Sequence, residues 1–374
     1  MPAYGYLAYL VRATHRSRPR DLQRLSAMGH DNLDLLKLFR HALADLGTDY
    51  YSKANKAEGF RVNRTNPHGR SEFIRIRRGP EGNPGETYDT DTGTSVETND
   101  RTALLSELRA ALFVPEDSYF GFLFVERVGG RHLKDLVYTH MLAPISKQLK
   151  MPLRVEAFGE IEDWRLELAP QKVLRITEVL KHSGSAQDAS TIDDTVVKVT
   201  AEGSPLRSMT EPIKDRVLDV LARRNRKYRL LADIAPYENR RRVWGQIGGK
   251  NPREGYKAAS KKLFTVADRD ELEALKMQLE ALDATSESAA LLDELQQVLP
   301  IDREDYKSQR VEVALGKEQP EKTFVVESDS VPQLVYPLGG RLGDLQLQRT
   351  WEAQVERFLG TLGVMTPSGW LLEQ

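Results

Sequence analysis

The amino-acid sequence predicts an α+β (mixed α/β) fold in two domains, on three observations. Residues 119–125 (Tyr-Phe-Gly-Phe-Leu-Phe-Val) are an almost unbroken apolar run, as in a strand covered on both faces. A helical pattern over 132–149 and an alternating segment over 153–157 follow, and strand, helix and strand make a βαβ unit with a right-handed crossover. The 374 residues also exceed the ~250–300 at which one core stops growing. The small polar stretch 183–191 (Ser-Gly-Ser-Ala-Gln-Asp-Ala-Ser-Thr) supplies a place to divide them. The expected organisation is a sheet-containing N-terminal domain over 1–183, a linker over 184–194, and a C-terminal domain of helices and short antiparallel strands over 195–374.

Taken in order, residues 4–11 are aromatic and aliphatic and read as a strand, followed by a basic loop over 12–24. Asp31 or Asn32 caps a helix whose apolar positions Leu35, Leu36, Phe39, Leu43 and Leu46 keep the helical period, with Gly47 as its stop. A turn at 79–85 (Gly-Pro-Glu-Gly-Asn-Pro-Gly) makes 71–90 a hairpin with a polar tip. Asn99 or Asp100 caps a helix through Leu104, Leu105, Leu108 and Leu112, ended by Pro115. In the βαβ helix, Pro144 kinks or splits the run of Leu133, Leu136, Val137, Met141 and Ile145.

Strands follow at 173–180 and 196–200, and a helix at 211–224. Residues 243–247 read as one strand of a hairpin closed by Gly248-Gly249. Two acidic helices, 268–282 and 286–299, form a helical hairpin. Strands at 310–315, 323–327 and 334–336 and a turn at 337–340 lead to a closing helix. Asp344 is its cap, and Trp351, Val355, Phe358 and Leu362 form its buried side.

Charge carries the functional reading. The chain is nearly neutral, at −1, yet residues 222–262 hold thirteen Lys or Arg against Asp233, Glu238 and Glu254, a local balance of +10. Residues 268–305 hold twelve acids against Arg269, Lys276 and Arg303, a balance of −9. Tyr228, Tyr237, Trp244, Tyr256 and Phe264 interleave with the basic block over 222–264. Cations that track a phosphate backbone, with rings on which bases stack, point to nucleic acid. The candidate contacts are Arg223, Arg224, Arg226, Lys227, Arg240, Arg241, Arg242, Lys250, Lys257, Lys261 and Lys262, with Trp244 for stacking. Arg75, Arg77 and Arg78 could extend the track. The bland alternative is that the acidic helices neutralise the block, as an internal clamp or as a cover that nucleic acid displaces.

Other motifs point to weaker chemistry. Gly-Gly followed by a basic residue occurs at 129–131, 248–250 and 339–341; of these Gly129-Gly130-Arg131 comes after a strand and before a helix, where backbone N–H groups can meet an anion. It lacks the spacing of the dinucleotide and Walker loops. Glu156, Glu160, Glu162, Asp163 and Glu167 gather near the end of a βαβ strand, where a metal-dependent nuclease could hold divalent ions. Arg24 and His30, separated by five residues, resemble the R-x(4–6)-H element of the HEPN ribonucleases. That resemblance implies a proton-transferring His30 and a phosphate-stabilising Arg24 on a helix of an all-α bundle. Gly29 and the mixed surroundings depart from that pattern.

The seven histidines do not gather into a metal set, no Gly-x-Ser-x-Gly is present, and the absence of cysteine excludes thiolate sites, disulfides and Cys nucleophiles from this chain. No cofactor is expected. With no signal peptide pattern at 1–12 and no 18-residue apolar run, the expectation is a cytoplasmic protein without a membrane partner. The preferred reading is nucleic-acid binding without an evident catalytic motif. The alternatives are a protein-interaction or scaffold subunit, or a metal-dependent or HEPN-like nuclease.

Overall fold

A computed structural model describes residues 4–29, 31–52, 58–81, 85–88, 92, 94–99, 103–170, 172–182, 196–202, 210–247, 264–284, 306–316, 322–325, 334–366 and 369–371. Helices and antiparallel sheets are combined, as the α+β class requires. Two compact units are present: Met1–Glu156 with Val335–Gly360 and Val364–Gln374, and Ala157–Leu334 with Thr361–Gly363.

The first unit is built on a nine-stranded sheet. Its strands are β1 (Tyr4–His15), β2 (Arg18–Gln23), β3 (Tyr51–Ser52), β4 (Glu58–His68), β5 (Ser71–Pro80), β8 (Ser106–Phe113), β9 (Phe120–Val128), β10 (Leu153–Ala157) and β15 (Val335–Leu338). The order is β10-β1-β9-β8-β5-β4-β3, with β2 and β15 also pairing with β1. A separate hairpin joins β6 (Gly85–Tyr88) to β7 (Ser95–Thr98).

Three sequence expectations are corrected here. Residues 104–112 are not a helix but contain most of β8, which is hydrogen-bonded to β5 on one side and β9 on the other. Both its faces are buried, and leucines spaced for a helix satisfy a doubly covered strand equally well. Residues 71–90 are not one hairpin, because β5 pairs with β4 and β8 and the chain turns at Gly69-Arg70. Gly79 serves a close approach: a Cβ there would lie 1.7 Å from the carbonyl oxygen of Leu104. The basic loop over 12–24 is largely the end of β1 and its hairpin with β2.

Helix α1 (Leu35–Leu46) forms as expected and stops at Gly47, whose φ of 58° suits glycine. Its cap is Asp34, whose carboxylate accepts from the N–H groups of Leu36 and Lys37. A strand, a helical segment and a strand follow one another in chain order from β9 to β10, and β1 lies between the two strands in the sheet. The helical segment has three parts: α2 (Lys134–Val137), a π-helical turn (Tyr138–Leu142) and α3 (Ala143–Leu149). Pro144 in the first turn of α3 cannot donate a backbone bond, and the ladder opens so that Ala143 N–H reaches Tyr138 O.

The closing helix, α7 (Asp344–Thr361), lays Trp351 and Phe358 on Phe124 at ring separations of 5.9 and 6.0 Å. Trp351 also meets Tyr6 and Phe73. These rings are essentially fully buried, and cutting one to alanine costs about 3–5 kcal/mol. The expected division at 183 and 195 groups this helix with the C-terminal domain; its apolar face is packed on strands of the N-terminal part.

The second unit holds α4 (Ile161–Leu168), α5 (Thr210–Ile247), α6 (Val266–Ala284) and a four-stranded antiparallel sheet. The sheet comprises β11 (Lys172–His182), β12 (Val196–Glu202), β13 (Tyr306–Gly316) and β14 (Lys322–Val325), in the order β12-β11-β13-β14. The helix expected over 211–224 runs on to Ile247, and the strand expected over 243–247 is its last turns. Arginine and glutamine are good helix formers, and nothing between Asn239 and Gln246 alternates as a strand must. The linker 184–194, the Gly248-Gly249 turn and the acidic helix over 286–299 lie outside the described residues.

Candidate nucleic-acid interface

The first half of the basic block lies on α5, and helical phase sorts it. At 3.6 residues per turn, Arg223, Arg226, Arg229, Arg240 and Arg241 fall within about 120° of one another. Arg226, Arg229, Arg240 and Arg241 are exposed, and Arg223 is half-buried. Asp233 shares this face; burial raises its carboxyl above the ordinary carboxylate value, and nearby Arg229 opposes that rise. Within 223–241 this face thus carries five arginines and one aspartate, and two of the arginines, Arg240 and Arg241, pair with Asp268 and Glu238.

Arg224 is a correction. It lies on the opposite side of the helix, 8% exposed, among Leu221, Tyr228 and Leu231. Its guanidinium donates to Ala157 O at 2.6 Å and to the Tyr228 hydroxyl at 3.1 Å. Asn225 reaches Gly159 O at 3.3 Å, so neighbouring side chains pin 157–159 against the helix. Arg224 therefore holds structure instead of meeting solvent. Tyr228, 5% exposed, likewise offers no ring for a base. The signal was in the sequence: 217, 221, 224, 228 and 231 follow the three-and-four spacing of a buried stripe.

The distal part of the ridge meets the acidic helix α6. Thr265 and Asp268 form a reciprocal cap at the start of α6: Thr265 N–H and O–H donate to the Asp268 carboxylate, and Asp268 N–H donates to the Thr265 hydroxyl. These bonds from Thr265, with Arg240 3.1 Å away, hold the Asp268 carboxyl below its ordinary value. Arg240 also lies over the ring of Tyr237 at 4.6 Å. Tyr237 bonds Glu271, which keeps its phenol above the ordinary range. Glu238 is shared by Lys276 at 2.6 Å and Arg241 at 3.6 Å. Acidic residues thus face 237–241, while Arg226 and Arg229 stand two turns or more away along the helix.

Lys227 is half-buried. Arg242 and Trp244 fall within the last turns of α5. Lys250, Lys257, Lys261 and Lys262 lie outside the described residues, as does His30. Arg24 stands in the loop after β2, not on a helix, and pairs with Asp117 at 3.1 Å. Its guanidinium is held above its ordinary value first by a hydrogen bond with Tyr119.

The acidic set is dispersed in its contacts. Glu156 pairs with Arg12 at 3.0 Å, Glu160 accepts from the Thr361 hydroxyl at 2.6 Å, and Glu162 pairs with Arg165 at 2.8 Å. Among the described residues no three His, Asp or Glu come together to hold a metal ion. Gly129-Gly130-Arg131 is a tight turn in which Val128 and Arg131 exchange backbone hydrogen bonds. Gly129 has φ 60°, and Arg131 reaches Ser106 at 3.3 Å.

Arg75, Arg77 and Arg78 are not on a projecting hairpin but on β5, an interior strand. Arg78 is bound to Glu58 at 2.6 Å and to His132 O at 3.2 Å. Arg229 is the ridge residue missed among the candidate contacts, although it was visible three positions beyond Arg226. No helix among the described residues is long and apolar enough to cross a membrane. No protein-family model matches this chain, and comparison with curated proteins and with solved structures found no match.

Proposed function

We propose that the protein binds nucleic acid by its phosphate backbone, through the arginine ridge of α5 formed by Arg223, Arg226 and Arg229, with Arg240 and Arg241 further along. The observation that carries this reading is the convergence of five arginines on one helical face. Residues 223 to 241 span about 27 Å of helix at 1.5 Å per residue, long enough to follow several phosphates. Backbone contact of this kind is tolerant of sequence. Filter binding of single- and double-stranded DNA and RNA at two salt concentrations tests it. Binding that weakens steeply with salt is expected, and no retention at low salt overturns it.

A second reading, a charge clamp internal to the second unit, is favoured by Arg240–Asp268 and by Glu238 shared between Arg241 and Lys276. Leu272 and Leu279, buried seven residues apart on α6, separate the two. Cutting both to alanine loosens α6. The clamp reading alone predicts lower stability without nucleic-acid retention in either protein, whereas a cover displaced by nucleic acid predicts tighter binding by the variant.

A further inference from the structure

The face of the first unit's sheet beside the start of α7 carries more guanidinium than carboxylate. Arg61 lies directly opposite Arg77, Arg64 opposite Arg75, and Arg75 opposite Arg109 in the strand registers. Like charges in that position repel at side-chain separations of about 5 Å. Three carboxylates offset them. Glu126, 1% exposed, takes three bonds from Arg109 and one from Arg341. Asp344 is held by Arg75 and Arg109, and Glu107 by Arg75 at 3.7 Å and Arg77 at 3.5 Å. Six arginines thus stand against three acids.

The surplus is concentrated at the outer edge. Arg77 is 41% exposed and holds Glu107 through Nε alone. The Nε of Arg61 is buried and has no hydrogen-bond partner, so no carboxylate offsets this guanidinium through that atom. Arg341, also 41% exposed, follows the Gly339-Gly340 turn, where a Cβ would meet nothing within 4 Å. The Gly339-Gly340 turn leads into the N-terminus of an 18-residue helix, whose first residue, Asp344, is held by Arg75 and Arg109; a helix N-terminus favours negative charge.

We propose that this edge of the sheet binds a phosphate group, with Arg61 and Arg77 as its principal donors and Arg341 at its rim. Guanidinium forks match phosphate oxygens in pairs. An incoming oxyanion would meet the outer nitrogens of these guanidinium groups and offset the repulsion between Arg61 and Arg77. The phosphate could belong to a small phosphorylated molecule or to a nucleic-acid strand. The site's residues belong to the first unit and those of the α5 ridge to the second, and neither reading depends on the other.

Calorimetric titration of the full chain with inorganic pyrophosphate, and separately with a short single-stranded oligonucleotide, tests the proposal. Arg61→Gln combined with Arg77→Gln should weaken binding by about tenfold or more, the loss expected of one charge-assisted hydrogen bond. Arg165→Gln, at an exposed arginine outside both arginine groups, should leave pyrophosphate binding unchanged. Loss confined to the oligonucleotide assigns the phosphate to a strand, and loss for pyrophosphate assigns it to a small molecule. If the double variant does not melt with the wild type, Arg77→Lys keeps the charge but not the fork and should bind more weakly. The proposal is overturned if neither probe binds, or if the affinity for both probes is unchanged by the Arg61 and Arg77 substitutions.

Discussion

Replacing Glu126 by Gln tests how the first unit is held together. Glu126 and Arg109 are 1% and 3% exposed, so neither charge has water as an alternative partner. The carboxylate accepts from Arg109 N at 3.1 Å, from its Nε at 3.0 Å, from its Nη2 at 2.5 Å, and from Arg341 Nε at 3.2 Å. A glutamine keeps one acceptor, turns an amide N–H₂ toward the guanidinium and removes the charge. Breaking a buried pair on one side costs about 3–5 kcal/mol. Arg109 retains Asp344 at 3.1 Å and Leu342 O at 2.6 Å, which favours the lower end of that range. About 3 kcal/mol is a large part of the roughly 5–15 kcal/mol that stabilises a typical domain.

Urea unfolding followed by tryptophan fluorescence should show it, because Trp351 is fully buried on the same face of the sheet. With a urea slope of about 1–3 kcal/mol per molar, the midpoint should fall by about 1–3 M. Glu107→Gln is the internal control. That carboxylate is 23% exposed, and its arginines lie at 3.5 and 3.7 Å, so the cost should stay near 0–1 kcal/mol. Equal shifts for the two variants, or an unmoved midpoint for Glu126→Gln, would refute the claim that burial sets the strength of this network.

Other outcomes follow from single contacts. Gly79→Ala should destabilise the first unit by about 1–3 kcal/mol in the same assay, because the new methyl would overlap the Leu104 carbonyl, which is backbone and cannot swing aside. Asp34→Ala should cost about 1–2 kcal/mol, since it removes the cap of α1, and a larger loss would register the Arg70 pair at 2.5 Å. Burial holds the His132 imidazole below its ordinary 6.5, with Asp135 opposing and Arg78, Lys134 and Arg127 reinforcing the effect. The unfolded chain therefore takes up this proton first as pH falls. The contribution is present above about pH 6.5 and lost below it, so the stability difference between wild type and His132→Gln should shrink between pH 7 and pH 5.

Much of the fold was legible where the pattern admits one answer. The helix at 35–46 has one apolar stripe and a glycine stop, and 119–125 is too apolar to be anything but covered. Leu104 to Leu112 misled because leucines three and four apart suit both an amphipathic helix and a strand buried on two faces. Strand β4 was missed: its residues 63–67, Asn-Arg-Thr-Asn-Pro, are polar, and the strand is recognisable only by its pairing with β5. The candidate site was half legible. Local charge gave the block, but the helix had been stopped at Arg224, so the phase that turns Arg224 inward and Arg226 outward could not be applied. The Arg61–Arg77 and Arg75–Arg109 contacts join positions 16 and 34 residues apart through register alone, which no local spacing reveals.

The arginine ridge of α5 is tested most directly by the salt dependence of nucleic-acid affinity, measured for the wild type and for Arg223→Gln, Arg226→Gln and Arg229→Gln combined. Each neutralised phosphate contributes about 0.7 to the slope of log affinity against log salt on single strands and about 0.9 on duplexes. The triple variant should bind more weakly at low salt, with its slope reduced by about 2 to 3. Parallel lines for the two proteins would mean that these side chains do not meet phosphate.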